Sequence, residues 1–199
     1  MNSKLAASEK YPLKLFCKDF DNNHNIDQVL AIAKNGKYYT FLGKETLEKQ
    51  LPYINKKYLS YEKMAGKTVE EIFGNRLDGA VILNANTLAS IVLINKGNFN
   101  FDTIQMPQQF QWMPLFAFAE LKQQSIIAGG NFYGVMPFEG RYDNGLLPIM
   151  HFDKKALTQK GLMFAEGEVR EMHWINLAGK KRALVVVRNN MRPVIFAEL

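Results

Sequence analysis

Nine consecutive residues in the first part of the chain combine residue types and spacing in a way that suggests defined chemistry. Oxygen-bearing side chains stand at the first, third, fifth, seventh and ninth places, as Asp19, Asp21, Asn23, Asn25 and Asp27. A hard cation such as calcium takes about six to eight oxygen ligands from carboxylates, amides, backbone carbonyls and water. Because the alternation lets a tight loop turn these side chains toward one centre, the stretch predicts a calcium site. A solvated, Asn-rich turn is the alternative.

The residues on either side of this loop predict the elements that position it. Strand-like segments at 11–16 and 28–33 flank the loop, and a third segment at 37–42 follows the turn signal Asn35-Gly36. Three antiparallel strands joined by short turns make a meander, which would hold the acidic loop at its first strand-to-strand connection.

The hydrophobic period then changes to that of a helix, which predicts a helical insertion over 44–74. Its apolar residues at helical spacing are Leu47, Leu51, Ile54, Tyr58 and Tyr61. Pro52 should break the first helix or begin a second one. Thr68 and Glu71 have the spacing of a capping box, and Gly74 is placed to end that helix.

The rest of the chain returns to short strands with turn signals between them. The predicted strands are 80–83, 90–94, 99–105, 115–120, 125–128, 146–152, 168–175, 182–187 and 193–197. With the first three, the total is about twelve short strands in four groups. An all-β fold of β-propeller-like blades fits groups of this length, and a two-sheet sandwich is the main alternative. We predict a lead at 1–10 and a single domain or fragment at 11–199.

Bulk composition restricts the function classes. The chain has 199 residues, a net charge of +6, and an apolar fraction of 47%, which is ordinary for a globular protein. Its basic residues are scattered, so a surface that binds nucleic acid or an anionic polymer is only an alternative. Cys17 is the sole cysteine, which excludes an intrachain disulfide. The apolar runs fall far short of the roughly 20 residues that a membrane span needs. The first ten residues lack the apolar core of a signal peptide, so we do not expect this sequence to direct its own export.

Other combinations of reactive residues give weaker hypotheses. Glu120, Glu139 and Asp143 are the candidates for an alternative in which the chain is a carbohydrate-active or hydrolytic enzyme with two carboxylates at a central axis. Ser125, His151 and Asp153 could be assembled as a triad, but no nucleophile-elbow motif surrounds the serine. An EF-hand would need Glu at the twelfth place of the acidic loop, where this chain has Leu30.

Several motifs follow one another in an order that resembles a known repeat family. Asp19-Phe20-Asp21-Asn22-Asn23, with Asp27 before an apolar strand, resembles the calcium loop of FG-GAP/VCBS-type β-propeller repeats. The rest resembles the C-terminal region of large exported bacterial VCBS-repeat proteins through Gln50-Leu51-Pro52, Tyr61, Ile72-Phe73, Asn95-Lys96-Gly97, Gln111 with Pro114, Gly130-Asn131-Phe132-Tyr133, Gly140-Arg141-Tyr142-Asp143, Gly167-Glu168-Val169-Arg170 and Val187-Arg188-Asn189-Asn190. The resemblance covers nearly the whole chain.

This resemblance implies a propeller-like, calcium-binding interaction or scaffold module without catalytic activity, in a parent protein that is exported or on the cell surface. Its partner would be a protein or a polysaccharide. About four blades are too few for an ordinary closed propeller. We therefore expect either a fragment or a homodimer formed through open sheet edges.

The loop departs from the family pattern at two places. Its sixth place holds His24 where Gly is usual, and its fifth holds Asn23 where Asp is frequent. This sixth place favours positive φ, and His and Asn enter that region more readily than most residues. We therefore expect His24 to weaken the site without excluding it. The assigned ligands are the side chains of Asp19, Asp21, Asn23 and Asp27, with Asn25 contributing its backbone carbonyl.

Overall fold

The computed structural model describes residues 5–122, 124–135, 140–153 and 156–197. Strands make up 47% of the structure and helices 17%, and the strands form four antiparallel sheets. The predicted all-β class is therefore confirmed. The described residues form two compact units, an N-terminal unit of Leu5–Leu88 and a C-terminal unit from Ala89 onward.

The N-terminal unit contains one four-stranded sheet in the order β3-β2-β1-β4. Its strands are β1 (Leu13–Lys18), β2 (Asp27–Lys34), β3 (Lys37–Thr40) and β4 (Val81–Ala85). The Asn35-Gly36 turn joins β2 to β3, with both residues at positive φ as the turn signal predicts. Alternate residues of β2 point inward, so that Val29 and Ala31 are buried on the same face as Asp27.

Four short helices pack on this sheet, as the change of hydrophobic period predicts. They are α1 (Lys44–Gln50), α2 (Tyr53–Lys57), α3 (Tyr61–Met64) and α4 (Val69–Phe73). The helical face is buried with the sheet residues in a single core through Leu47, Leu51, Ile54 and Tyr58. Tyr61 does not join this core: it is 60% exposed, and its hydroxyl donates a hydrogen bond to Glu45.

The predicted helix boundaries are confirmed because each depends on a local signal. The first helix ends before Pro52, and α2 begins directly after it. Thr68 accepts from the Glu71 backbone N–H, and the Glu71 carboxylate accepts from the Thr68 backbone N–H. Gly74 ends α4 at a φ of 52°.

Strand β4 has a different partner from the one its place in the sequence predicts. In the four predicted groups, the segment at 80–83 opens the second group and is followed by 90–94 and 99–105. Instead, β4 pairs antiparallel with β1, with Phe16 opposite Ile82. The hairpin of β1 and β2 leaves one edge of β1 open, and after the helical insertion the chain returns to this edge.

The C-terminal unit contains three sheets. A hairpin consists of β5 (Ile91–Gly97) and β6 (Asn100–Gln105). A four-stranded sheet in the order β10-β9-β8-β7 contains β7 (Leu115–Leu121), β8 (Ser125–Gly130), β9 (Leu146–Asp153) and β10 (Ala156–Phe164). The third sheet, in the order β11-β12-β13, contains β11 (Val169–Asn176), β12 (Arg182–Arg188) and β13 (Val194–Ala197).

The two larger sheets of this unit share one apolar core. Ala117 and Ile127 of the first sheet lie in the same buried cluster as Met172 and Leu184 of the second. Such face-to-face packing occurs between neighbouring propeller blades and between the layers of a sandwich, so it fits both predicted architectures.

Strand β10 was absent from the prediction. Its residues 158–161 read Thr-Gln-Lys-Gly, which interrupts the alternation of polar and apolar side chains. The pairing with β9 shifts register between Gln159 and Gly161, as at a bulge, so one strand contains two short patterns that are out of phase.

Among the described residues, no helix is long and apolar enough to cross a lipid bilayer.

Candidate metal centre

The acidic loop lies where the sequence predicts it, between two paired strands. β1 ends at Lys18 and β2 begins at Asp27, and these two residues are partners across the antiparallel ladder. The strand pairing therefore brings the two ends of the loop together without help from the loop itself. Asp19 and Asp27 therefore lie close to each other.

Three of the five predicted ligands converge. Asp19, Asp21 and Asp27 each offer an oxygen, and these oxygens all lie within 4.8 Å of one another. Asp27 is buried, while Asp19 and Asp21 are half-buried. Within the described ranges this is the one group of at least three acidic, histidine or cysteine side chains arranged to hold a metal ion.

The two asparagines stand at the exposed side of the loop. Asn23 donates from its side-chain amide to Asp21 over 3.2 Å, and its side-chain oxygen accepts from the Asn25 backbone N–H over 2.8 Å. Both asparagines are exposed. Both asparagines close the loop by local hydrogen bonds, and the Asn23 side chain lies against Asp21.

Backbone N–H groups point toward the carboxylates. Asp19 accepts from the backbone N–H groups of Asn23 (3.0 Å) and His24 (2.8 Å), and Asp21 accepts from Asn23 (3.2 Å). Partial burial raises the pKa of Asp19, but hydrogen bonds from the backbone at His24, Asn23 and Asn22 outweigh it and lower the pKa overall. Asp19 is thus held in the charged form that a cation requires.

The sixth place of the loop has the conformation expected for it. His24 has a φ of 69°, and Asn22 a φ of 61°. His24 thus takes the left-handed conformation that this place favours. The usual glycine is therefore not needed for this chain to make the turn.

Residues distant in sequence complete the support of the loop. Asp27 accepts from the Phe20 backbone N–H over 3.0 Å and from the Gln50 side chain over 3.4 Å. Phe20 is buried in the N-terminal core, where its ring contacts that of Phe73 at a centroid distance of 5.0 Å. Arg76 donates to the Phe20 carbonyl over 2.7 Å. The helical insertion and the residues directly after it therefore hold the acidic loop at its second and last residues.

Tyr53 of α2 lies in the electrostatic field of the cluster. Burial raises its pKa to about 12, Arg76 opposes this shift, and the carboxylates of Asp27 and Asp21 add to it. The Arg76 guanidinium stacks on the Tyr53 ring at 4.2 Å. No local signal in the sequence marks Gln50, Tyr53 or Arg76 as part of this site, because Gln50 and Tyr53 reach it from the helical insertion and Arg76 from directly after it.

The other candidate residues are not assembled in the same way. Ser125 and His151 are partners across β8 and β9, with the hydroxyl oxygen 3.2 Å from Nδ1. Ser125 is only 3% exposed, which suits a structural hydrogen bond better than attack on a substrate. In the part of the chain that the structure describes, no hydrogen bond joins His151 to Asp153.

The three carboxylates considered for an axial catalytic site have separate environments. Glu120 lies on β7 beside a groove of about 430 Å³ that is also lined by Trp174 and Arg182. Asp143 accepts from the Tyr133 hydroxyl over 3.1 Å and from the Gly145 backbone N–H. Glu139 lies outside the described residues.

Comparison of the chain with protein-family models, with curated proteins and with solved structures gives no match. The geometry of the acidic loop is therefore the principal structural guide to function.

Proposed function

We propose that the chain is a non-enzymatic, calcium-stabilised segment of β-propeller-type repeats that acts as an interaction or scaffold module. The observation that carries the proposal is the convergence of Asp19, Asp21 and Asp27 within 4.8 Å in a turn between two paired strands. The short antiparallel sheets and the resemblance to FG-GAP/VCBS repeats support the same assignment.

The donor set favours calcium over other metals. All the donors of the cluster are oxygens, and no histidine or cysteine belongs to it. Hard oxygen ligands suit calcium and magnesium, and calcium tolerates the irregular geometry of a flexible loop better than magnesium. The three carboxylates would bind the ion, with the Asn23 side chain, the Asn25 carbonyl and water as further oxygen donors.

Charge balance gives the ion a structural role. Three carboxylates within 4.8 Å repel one another, and backbone N–H groups offset only part of this repulsion. A divalent cation would bind the folded loop and not the unfolded chain, so it would stabilise the N-terminal unit. Since Asp27 also contacts Gln50, the stabilisation would extend to the helical insertion.

The interaction role follows from open sheet edges. β3 and β4 end the sheet of the N-terminal unit, and Val81, Ile82 and Leu83 of β4 are 59%, 45% and 54% exposed. An apolar edge strand without Pro or Lys is prone to pair with another strand. A second copy of this chain, or a neighbouring repeat of a longer parent, would cover this edge. The resemblance implies a parent that is exported or on the cell surface.

Thermal unfolding in EDTA and in calcium tests the proposal. Extracellular calcium modules have Kd values of about 0.1–1 mM, so roughly 10 mM calcium should stabilise the N-terminal unit by about 1.4–2.7 kcal/mol and raise its Tm by several degrees. The Asp21→Asn variant should lose this response, while Glu62→Gln, an exposed charge removal on α3, should keep it.

The sign of the Asp21→Asn effect separates a cation site from a solvated turn. In EDTA the substitution relieves repulsion among the carboxylates and should raise the Tm, whereas in calcium it removes a ligand and should lower the Tm. A wild-type Tm that is the same in EDTA and calcium contradicts calcium binding, and an Asp21→Asn effect of one sign in both conditions does so as well.

A further inference from the structure

The C-terminal unit has an aromatic pocket that the proposed calcium site does not involve. It has a volume of about 330 Å³ and is lined by Trp112, Met113, Pro114, Phe116, Phe132 and Tyr142. The atoms that face it are apolar. Its volume lies at the lower end of the range of about 300–1,000 Å³ that is typical of ligand sites.

The rings of this pocket remain in contact with solvent. Trp112 is 39% exposed and Phe116 is 46% exposed. The rings of Phe116 and Phe132 lie 6.3 Å apart between centroids, in a tilted arrangement. Removing aromatic surface from water is favourable. Contiguous exposed rings in a concavity are therefore typical of a contact site for another molecule.

A buried polar network holds the wall of the aromatic pocket. Asn131 is 2% exposed; its side chain donates to the Gly167 carbonyl over 2.9 Å and accepts from the Asn144 backbone N–H over 2.9 Å. Between these anchors, Phe132 and Tyr142 exchange two backbone hydrogen bonds. The two rings are thereby held in place before any ligand arrives, which lowers the entropic cost of binding.

Glu168 provides the second part of this network. Its carboxylate accepts from the Tyr133 backbone N–H over 2.8 Å, from the Asn189 side chain over 2.7 Å and from Arg170 over 3.0 Å. The hydrogen bonds from Asn189 and Tyr133 lower the pKa of Glu168, so it is charged at neutral pH. Its charge orients Arg170 toward the aromatic pocket.

Arg170 gives the rim of the pocket a positive charge. Its guanidinium lies 4.7 Å from the Phe116 ring centroid and 5.9 Å from that of Phe132. A guanidinium has five N–H donors, and within the described residues Glu168 is the one acceptor that contacts it. Donors therefore remain for an anionic group that approaches over the pocket.

These features discriminate among possible occupants. A quaternary ammonium is disfavoured because Arg170 already places a cation over the rings. A sugar needs hydrogen bonds for its hydroxyl groups, and the wall of the pocket offers none. An apolar side chain next to a carboxylate fits the site: the apolar side chain packs against the wall, and the carboxylate binds Arg170 at the rim.

We propose that the aromatic pocket binds a peptide segment of a partner protein, with a proline or another apolar residue in the pocket and an adjacent carboxylate on Arg170. Aromatic grooves recognise proline-rich segments in this way, because an extended proline segment loses little entropy on binding. The inference rests on the proposed interaction role for its class of partner, and it names a surface that is separate from the acidic loop.

Indole resonances test the proposal in the full-length chain. Trp112 lines the pocket, whereas the Trp174 indole N–H donates to the Glu120 carbonyl, so the two indole signals serve as reporter and internal control. The probes are the acetylated, amidated tripeptides Pro-Pro-Asp and Pro-Pro-Asn, and methyl glucoside. We expect Pro-Pro-Asp to shift the Trp112 signal alone, with about fivefold tighter binding than Pro-Pro-Asn.

Two substitutions on one strand provide a matched pair. Phe116 and Phe118 lie on the exposed face of β7 and have nearly equal exposure, 46% and 47%. Of these two phenylalanines, Phe116 lines the pocket and Phe118 does not. Phe116→Ala should weaken tripeptide binding at least about tenfold and Phe118→Ala should leave it unchanged. Arg170→Gln should remove the preference for Asp over Asn.

The proposal is overturned if neither tripeptide shifts the Trp112 signal at about 10 mM. It is also overturned if methyl glucoside alone shifts the signal, if Pro-Pro-Asp and Pro-Pro-Asn bind equally, or if Phe116→Ala binds like wild type. Each titration is run in calcium and in EDTA. A failure at the pocket would leave the calcium response of the Tm intact, so the two proposals fail separately.

Discussion

At the residue scale, carboxylate side chains have different roles in the two units. In the acidic loop, Asp19 and Asp21 are half-buried and accept hydrogen bonds from the backbone, yet they face a third carboxylate. Glu168, by contrast, is buried and accepts hydrogen bonds from Tyr133, Asn189 and Arg170. An excess of carboxylates suggests a cation, whereas a carboxylate surrounded by donors is a structural support.

Glu168 should make the C-terminal unit sensitive to acid. Its pKa is lower in the folded chain than its ordinary value of 4.5, so its stabilising effect is fully present above about pH 4.5 and is lost as the pH falls through the folded-state pKa. Glu168→Gln should therefore lower stability at pH 7 and flatten the loss of stability below pH 4.5. Urea unfolding followed by tryptophan fluorescence measures this, since Trp112 and Trp174 both lie in this unit.

The control for this experiment is Glu171→Gln. Glu171 is exposed and contacts His173 at the surface. At pH 7 it should change the free energy of unfolding less than Glu168→Gln does, because it removes a surface carboxylate. Equal acid slopes for wild type and Glu168→Gln would contradict the role assigned to the buried carboxylate.

Local signals account for what the sequence predicted correctly at this scale. The convergence of Asp19, Asp21 and Asp27 follows from alternation within nine residues, and the turn at His24 follows from the φ preference of its residue type. Gln50 and Arg76 were missed because they contact the loop from 23 and 56 residues away in sequence. No spacing within a short window encodes such a contact.

At the element scale, the end of β8 depends on two consecutive glycines. A Cβ atom on Gly130 would lie 1.7 Å from the Pro114 carbonyl oxygen, and one on Gly129 would lie 2.4 Å from the Met172 side chain. The two glycines let β8 lie directly against its neighbours, and Asn131 then turns the chain into the wall of the aromatic pocket at a φ of 74°.

Gly130→Ala should destabilise the C-terminal unit by about 3 kcal/mol or more, because the Pro114 backbone must move to admit the methyl group. Gly161→Ala in β10 is the matched control. Its added Cβ would meet Ile149 at 3.7 Å, an ordinary contact, and we expect a change below about 1 kcal/mol. Urea unfolding of both variants measures the difference. Equal stabilities would show that the chain near Pro114 adapts at little cost.

Elements with their own boundary signals were predicted well, and elements defined by pairing were not. The Pro52 break, the Thr68 capping box and the Gly74 terminus are each encoded within a few residues. β4 was assigned to the wrong group because its partner, β1, precedes the helical insertion. β10 was missed because its bulge breaks the alternation that marks a strand.

At the scale of the whole molecule, the exposed edge strand β4 is where we propose that assembly occurs. If two copies pair through β4, the Ile82→Lys variant should be monomeric, since a charge on an edge strand opposes pairing. Leu59→Lys is the control, because Leu59 is 74% exposed but lies between helices. Light scattering after size-exclusion chromatography measures the mass. A monomeric wild type, or an Ile82→Lys variant that remains dimeric, contradicts pairing at this edge.

The sequence predicted the all-β class but not the division of the strands among sheets. Short strands with frequent turns are common to blades and to sandwiches, and pairing between distant strands decides between them. The proposed propeller-type module therefore depends more on the acidic loop and the resemblance than on the count of strands.

Calcium titration of the EDTA-treated, full-length chain by isothermal calorimetry tests the central claim most directly. We predict one calcium ion per chain, with a Kd of about 0.1–1 mM, and wild-type binding by Glu62→Gln. Asp21→Asn should bind at least about tenfold more weakly, because it removes one of the three converging carboxylates. No binding heat up to about 10 mM calcium, or equal binding by wild type and Asp21→Asn, would contradict the account.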